Sequence, residues 1–315
     1  MLEYAARRVP SALLVLLLAS VVIFGILRLT PGNPAVVLAG PDANPATIHS
    51  IEHDLGLDQS LPAQYTRWAG GLVTGNLGHS YVLGAPIATL IGRGAGNTLE
   101  LTLGAMILAL LIGITLGVLG ATTRNRAGQL VLLAVNTITF AVPTFISGVV
   151  LVLVFAVSVK LLPPGGQVSL LKDPSIGIQY LILPALCLAL PVSAVIARFL
   201  QTSMRQVLEE EYIRAATAKG LQRRLIFLRH ALPNALPPVI TVLGIQVGQL
   251  LGGAVIVEAI FAWPGLGQLV LHAVLSRDYL LVQDLLMLGV FVFILLRTAA
   301  EVCQAAIDPR IRLGG

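Results

Sequence analysis

Glu209-Glu210-Glu211-Tyr212-Ile213-Arg214-Ala215-Ala216-Thr217-Ala218-Lys219-Gly220-Leu221 is a charged island in an apolar chain. Glu, Ala, Arg and Lys favour helix, and Gly220 is a natural stop. A second basic segment, Gln222–Ala231, follows with the same helical pattern and is expected to close at Pro233. On either side lie runs without a single charge, Pro174–Ala197 before and Ala231–Val257 after. The island has to lie in water, and its flanks are long enough to cross a bilayer, which takes about 20 mostly apolar residues.

The same pattern repeats along the chain. Val9–Leu27, Leu101–Thr123 and Ala127–Val159 are further runs of spanning length, and the third has room for a span plus an entering turn. The fifth span is expected to start near Pro238. A sixth begins near Val282 and runs to about Cys303, interrupted by Asp284, Arg297 and Glu301. Of the 315 residues 56% are hydrophobic and 11% charged, against roughly 45–50% and 25% in soluble domains. A soluble enzyme is excluded by that balance. The first run follows Arg7 and Arg8 as a signal peptide would, but lacks a small-residue cleavage site and reads as a retained span. The fold expected is an all-α polytopic membrane protein with six spans.

Six spans place both termini on one side. Arg7, Arg8, Arg124, Arg126, Arg205, Arg214, Lys219, Arg223, Arg224, Arg229, Arg310 and Arg312 fall together on one face. The positive-inside rule makes that face cytoplasmic. The expected organisation is 1–29 for the first span, 30–97 for an extracytoplasmic insert, and 98–315 for a core of five spans carrying a cytoplasmic loop at 203–237. Lys160, Lys172 and Lys219 are the three lysines, and none is followed by Ser or Thr. There is accordingly no phosphate-cradling loop of the G-x-x-x-x-G-K-[ST] type. Cys187 and Cys303 sit in apolar runs and read as small buried hydrophobes.

The order Ala215-Ala216-x-x-x-Gly220, nine residues, then His230-Ala231-Leu232-Pro233 resembles the EAA loop of ABC importer permeases. Arg214 stands where the wider family has Glu, and His230 where it has Ile; both departures resemble the peptide-importer branch. The likeness extends along the chain. It takes in Tyr4 with Arg7-Arg8, Pro31-Gly32-Asn33-Pro34 (Asp being commoner at the third position), Leu55-Gly56-Leu57-Asp58, Gln64-Tyr65, Gly75-Asn76-Leu77-Gly78 and Asn97-Thr98-Leu99-Glu100-Leu101. Near the end it takes in Glu258-Ala259-Ile260-Phe261-Ala262-Trp263-Pro264-Gly265-Leu266-Gly267, Arg277-Asp278-Tyr279 and Asp308-Pro309-Arg310. The chain is similar to the dipeptide/oligopeptide/nickel importer permeases.

That resemblance implies a type I ABC importer (MetI-like) permease fold in a bacterial inner membrane. It implies a second homologous permease, two ATPase subunits that hold ATP and Mg, and an extracytoplasmic solute-binding protein. Dipeptides or oligopeptides are the implied solutes, with nickel chelates, glutathione and haem as alternatives within the family. Tyr212, Arg214, Ala215, Ala216, Lys219, Gly220 and Leu221 become the ATPase contact. The small Ala215, Ala216 and Gly220 would permit close approach, and the basic residues would set register.

Gly244, Gly248 and Gly252, with Gly253 beside them, are spaced for close helix packing in lipid. Packing within the chain and an interface with the second permease both remain open for them. Gln246 and Gln249 in the same span, and Asn136 with Thr137 and Thr139 in the third, are candidate solute-path residues, since a polar side chain in lipid needs a partner. Both glutamines are expected to face the interior. Glu100, Glu258 and Asp284 are expected near outer ends, where the cost of a charge in the bilayer is small. Arg297 and Glu301 are four apart and suited to pair. Without a central chain of Asp, Glu or His, a proton-driven carrier is disfavoured, and a channel or carrier has no need of a docking helix. Pro163-Pro164-Gly165-Gly166 reads as a stiff outer turn that would meet the binding protein. His49-Ser50-Ile51-Glu52-His53 spells H-x-x-E-H, an inverted zinc-protease pattern. The alternative reading is a solvated surface helix, with a transient metal contact as a further possibility.

Overall fold

The computed structural model describes the backbone of residues 2–29, 32–40 and 42–307, with side chains between 10 and 298. In chain order the helices are α1 (Leu2–Leu29), α2 (Pro34–Ala39), α3 (Pro45–Leu55), α4 (Leu61–Thr74), α5 (Ile87–Thr122), α6 (Arg126–Ala141) and α7 (Thr144–Leu151). After α7 the coil continues, wound wider, through Val152–Ser158. Then come α8 (Pro174–Glu209), α9 (Glu211–Ala218), α10 (Arg223–Leu225), α11 (Leu232–Ala235), α12 (Pro237–Ile260), α13 (Leu266–Leu275) and α14 (Tyr279–Ile307). Five helices among the described residues are long and apolar enough to span a bilayer, and six when the pair α6 and α7 counts as one.

That pair differs from the single third span expected. Its two halves meet at Val142–Pro143 with a bend of 105°. Pro143 lacks the N–H that would continue the α6 ladder and disfavours helical backbone at Val142, which is extended (ψ 123°). The spans are also longer than their uncharged runs. At 1.5 Å per residue the 36 residues of α5 extend about 54 Å, well beyond a hydrocarbon core of about 30 Å. The turns Ile87–Asn97, expected as part of the insert, are helical.

The chain divides into two units, 1–97 with 264–302 and 98–263 with 303–315. The first unit groups the last span with the N-terminal segment. Its short helices start on caps written in the sequence: Asn33 accepts from Ala35 N and Asn44 from Thr47 N, each immediately followed by a proline at the first helical position. Phe24 of α1 meets Tyr65 and Trp68 of α4 at ring-centroid distances of 5.5 and 6.1 Å. The Ser20 and Tyr65 hydroxyls share a 2.8 Å hydrogen bond. Trp68 Nε1 then donates to Asp284 Oδ1 of α14 at 2.8 Å. Ile87, Ala273, Leu281, Val282 and Leu285 form the apolar core of this unit.

The second unit is built around α8. Gly113 and Gly117 of α5 lie so close to it that a Cβ on either would sit 2.8 Å from Ile196 or 2.9 Å from the Ala197 carbonyl. Gly120 meets Gln201 in the same way. Gln201 Nε2 and Arg205 Nη2 both donate to the Gly120 carbonyl at 3.1 Å, satisfying the end of α5 with a cation at its negative pole. Cys187 is buried there as expected, its Sγ 3.2 Å from the Thr144 carbonyl.

Two of the acids expected near outer ends are also enclosed by protein. Glu258 is fully buried and accepts from Thr98 Oγ1 at 2.6 Å, and Asp284 is 2% exposed. Asp278, to which the sequence alone assigns no role, is buried and accepts from Ser80 Oγ and the Val82 and Leu281 amides. A buried carboxylate with several donors is stable where a bare one is not. The pairing expected of Arg297 with Glu301 lies outside the described side chains, as do Tyr4, Arg7, Arg8, Cys303, Asp308-Pro309-Arg310 and Arg312.

Candidate functional site

The charged island folds as a short amphipathic helix on the end of the second unit. Glu210 breaks from α8 with extended backbone (ψ 148°) and α9 begins at Glu211. Ile213 turns inward and is buried, and half-buried Ala216 packs against the same core with Val207, Leu208, Ile226 and Phe227. The other face of α9 is open: Arg214, Ala215, Thr217, Ala218 and Lys219 are all exposed. Gly220 ends it with φ +75°, the left-handed geometry that costs a residue with Cβ about 1–2 kcal/mol. Leu221 N reaches back to the Ala216 carbonyl at 3.3 Å and Gly220 N to Thr217 at 3.0 Å. Among the described residues no atom lies within 4 Å of a Cβ added to Gly220, so conformation rather than crowding requires glycine there.

The basic segment after Gly220 does not close at Pro233 as expected. It runs on through a wider π-helical turn, Ile226–Ala231, into α11, which contains Pro233. The looser winding just before it suits a residue that has no N–H to give and crowds the preceding turn. Tyr212 is tied into this segment, its hydroxyl accepting from Asn234 Nδ2 at 3.2 Å. Its ring stays partly exposed beside Leu221. Of the seven residues expected at this surface, six therefore lie on the open side, and Ala216 sits half under it.

In α12 the two glutamines, both expected to face the interior, differ in their surroundings within the chain. Gln246 is 4% exposed, and its Nε2 has no hydrogen-bond partner. Gln249 is exposed and shares a stripe with Ile245, Gly248, Gly252, Val255 and Ile256. Among the described residues nothing lies within 4 Å of a Cβ on Gly248 or Gly252, so the packing described does not explain those glycines. Gly253 instead faces Leu188 at 3.2 Å, and Gly244 is half-buried. Asn136 of α6 is half-buried with Oδ1 unpartnered.

The H-x-x-E-H pattern lies on α3, but its groups are engaged elsewhere. Asn33 Nδ2 donates to Glu52, and His53 Nδ1 is 2.8 Å from Asp58 Oδ2. His49 Nδ1 lies 3.5 Å from Glu52. The Asp58 hydrogen bond raises the His53 pKa, and the same bond lowers that of Asp58. Among the described residues no three His, Cys, Asp or Glu side chains converge as a metal site would need. The Pro163–Gly166 turn is anchored: Gly166 N donates to the Phe261 carbonyl at 2.7 Å, while Pro164 stays exposed.

Two family models match the chain. Residues 113–313 match the binding-protein-dependent transport system inner membrane component, and residues 1–93 match the N-terminal part of such membrane components. A probable peptide ABC transporter permease, y4tP of Sinorhizobium fredii, is 37% identical over 98% of this chain and 99% of its own. The glutathione transport system permease GsiC of Escherichia coli K12 is 38% identical over 99% of both. Among solved structures, the inward-facing methionine transporter MetNI superposes with a TM-score of 0.56 at 23% identity, covering 71% of this chain and 98% of that one. An amino acid ABC transporter gives 0.51 at 17%, covering 70% and 94%. These two show the fold, and the all-helical importer-permease architecture expected from the sequence is borne out. With five or six spans among the described residues and relatives matching end to end, the chain belongs to the inner membrane component family of binding-protein-dependent transport systems, the permeases of ABC importers.

Proposed function

We propose that this permease forms half of a translocation pore for peptides, delivered by an extracytoplasmic solute-binding protein and driven by two ATPase subunits. The single observation that carries the coupling half of this reading is α9. It is a short helix anchored by Ile213 and stopped by a left-handed glycine, with a face of small and basic side chains left open. An anchored helix passes force to the spans; a free loop would absorb it. In this reading Tyr212, Arg214, Ala215, Ala216, Lys219, Gly220 and Leu221 meet the ATPase. ATP and Mg belong to those subunits, since this chain has no phosphate-binding loop. Both termini and α9 are then cytoplasmic, in agreement with the arginine distribution.

The solute assignment is supported by full-length likeness to a probable peptide permease and to glutathione permeases, glutathione being itself a small peptide. A second homologous permease would cover the open glycine stripe of α12. Gln246 and Asn136 carry buried polar atoms without partners, as amides awaiting a passing peptide backbone would. Gln249 would join them at the seam between the two permeases.

The test replaces Ala215 with Trp in the assembled importer reconstituted with its binding protein. The exposed site leaves the fold intact. The expected outcome is a fall in ATP-driven peptide uptake of at least about tenfold, the scale of a spoiled contact worth 1.4 kcal/mol, with unchanged chain abundance. Unchanged uptake would remove α9 from the coupling path.

A further inference from the structure

Six buried side-chain nitrogen or oxygen atoms among the described residues have no hydrogen-bond partner. Four of them, Arg28 Nε, Gln64 Oε1, Gln283 Nε2 and Asp284 Oδ2, belong to residues lining one cavity of about 250 Å³ in the first unit. Orphaned buried polar atoms are rare, because each gives up water without replacement. Gathering four around one space is a property of that space. Gln64, Gln283 and Asp284 are each at least nine-tenths buried.

The orphans are held in place by bonds made on their other sides. Trp68 donates to Asp284 Oδ1 and leaves Oδ2 over. Gln64 Nε2 donates to the Leu57 carbonyl at 3.1 Å and to that of Gln59 at 2.8 Å, which sets its amide so that Oε1 remains. The Arg28 guanidinium carbon sits 5.1 Å above the Phe24 ring, fixing the direction of that side chain. The result is two donors, Arg28 and Gln283, and two acceptors, Gln64 and Asp284.

This balance selects a ligand class. A metal ion would satisfy the two acceptors but face the Arg28 charge. A simple anion would satisfy the two donors but face Asp284. A compact molecule carrying both charges answers all four atoms, and the space admits only a small one. We propose that the cavity is a binding site for a small free α-amino acid, its carboxylate held by Arg28 and Gln283 and its ammonium by Asp284 and Gln64. The site shares no residue with the proposed solute path or with α9, so its failure would leave the importer reading untouched.

The experiment uses the full-length chain purified with its co-purifying subunits and free of binding protein. Radiolabelled glycine and alanine are titrated by equilibrium dialysis. Saturable binding is expected, with each competing for the other. Hundredfold excesses of propionate, which lacks the ammonium, and ethylamine, which lacks the carboxylate, are expected not to compete. Asp284→Asn and Gln283→Glu should each weaken binding at least about tenfold, the scale of a lost charge-assisted bond, while Leu171→Ala, at a fully exposed position of the second unit, should leave it unchanged. Two results would overturn the proposal: no saturable binding of either amino acid, which would make the cavity a pocket of water, or full competition by propionate or ethylamine alone. The competition series on the unmodified protein decides the matter even where a variant fails to fold.

Discussion

Two helices of this permease carry glycines at nearly the same spacing, with opposite surroundings. Gly113, Gly117 and Gly120 of α5 are pressed against α8, with no room for a single added carbon. Gly248 and Gly252 of α12 face open space. In lipid, helices gain nothing from hydrophobic exclusion, and close backbone approach supplies the dispersion contacts instead. The first stripe has already made those contacts inside the chain. The second presents the same surface with nothing on it. Spacing alone therefore marks a helix that packs, and only the structure separates a stripe used for folding from one left over for assembly.

The largest effect should come from breaking the filled stripe. Gly117→Leu would drive a branched side chain into the Ala197 carbonyl and Leu200. Overpacking typically costs about 1–3 kcal/mol and more against backbone, so the expected outcome is loss of folded, detergent-stable chain by size-exclusion chromatography. Gly248→Leu should do the reverse. The chain should fold and extract normally, but recovery of a co-purifying second permease should fall about tenfold or more. Normal recovery would mean that the open stripe is not an interface.

Gly248→Ala and Gly113→Ala should move stability in opposite directions. A helix-interior glycine is about 0.5–1 kcal/mol less favourable than alanine, and no atom opposes the added methyl. The isolated chain should gain about that much thermal stability, whereas Gly113→Ala should lose stability because Ile196 lies 2.8 Å from the new carbon. The smallest effect belongs to a site outside both stripes. The contribution of His53, whose pKa is raised, is full below its ordinary value of 6.5 and fades as pH rises through the raised one. That of Asp58, whose pKa is lowered, is full above 3.8 and fades as pH falls through the lowered one. The pair is therefore intact between about pH 3.8 and 6.5. Asp58→Asn should return the His53 titration, followed by NMR, to its ordinary value, with little change in stability because the pair is exposed.

Long uncharged runs made five spans legible in the sequence, since nothing but lipid or a large core accepts twenty apolar residues in a row. The α9 surface was legible too, because five charges and a glycine in so apolar a chain have few places to go. What escaped was set by partners far away in sequence. Asp284 and Trp68 are 216 residues apart, Asp278 and Ser80 198, and Glu258 and Thr98 160. No local pattern announces which acid will meet which donor. The bend at Pro143 was written in the residue but hidden by the unbroken apolarity around it. The ten-residue α13 was too short to register as an element. Gly113, Gly117 and Gly120 had the spacing that drew attention to α12, yet spacing does not say which neighbour will arrive.

The Trp68–Asp284 bond also has a consequence for biogenesis. The first unit is assembled from both ends of the chain, so its N-terminal helices emerge from the ribosome long before α14 exists. At about 5–20 residues per second, the 216 residues between Trp68 and Asp284 take roughly 10–40 s to synthesise. Throughout that interval the indole N–H and the α1–α4 aromatic cluster must wait without their acidic partner. A nascent chain stalled before α14 would thus present an unfinished N-terminal unit to the quality-control machinery, even with the whole of 98–263 already made.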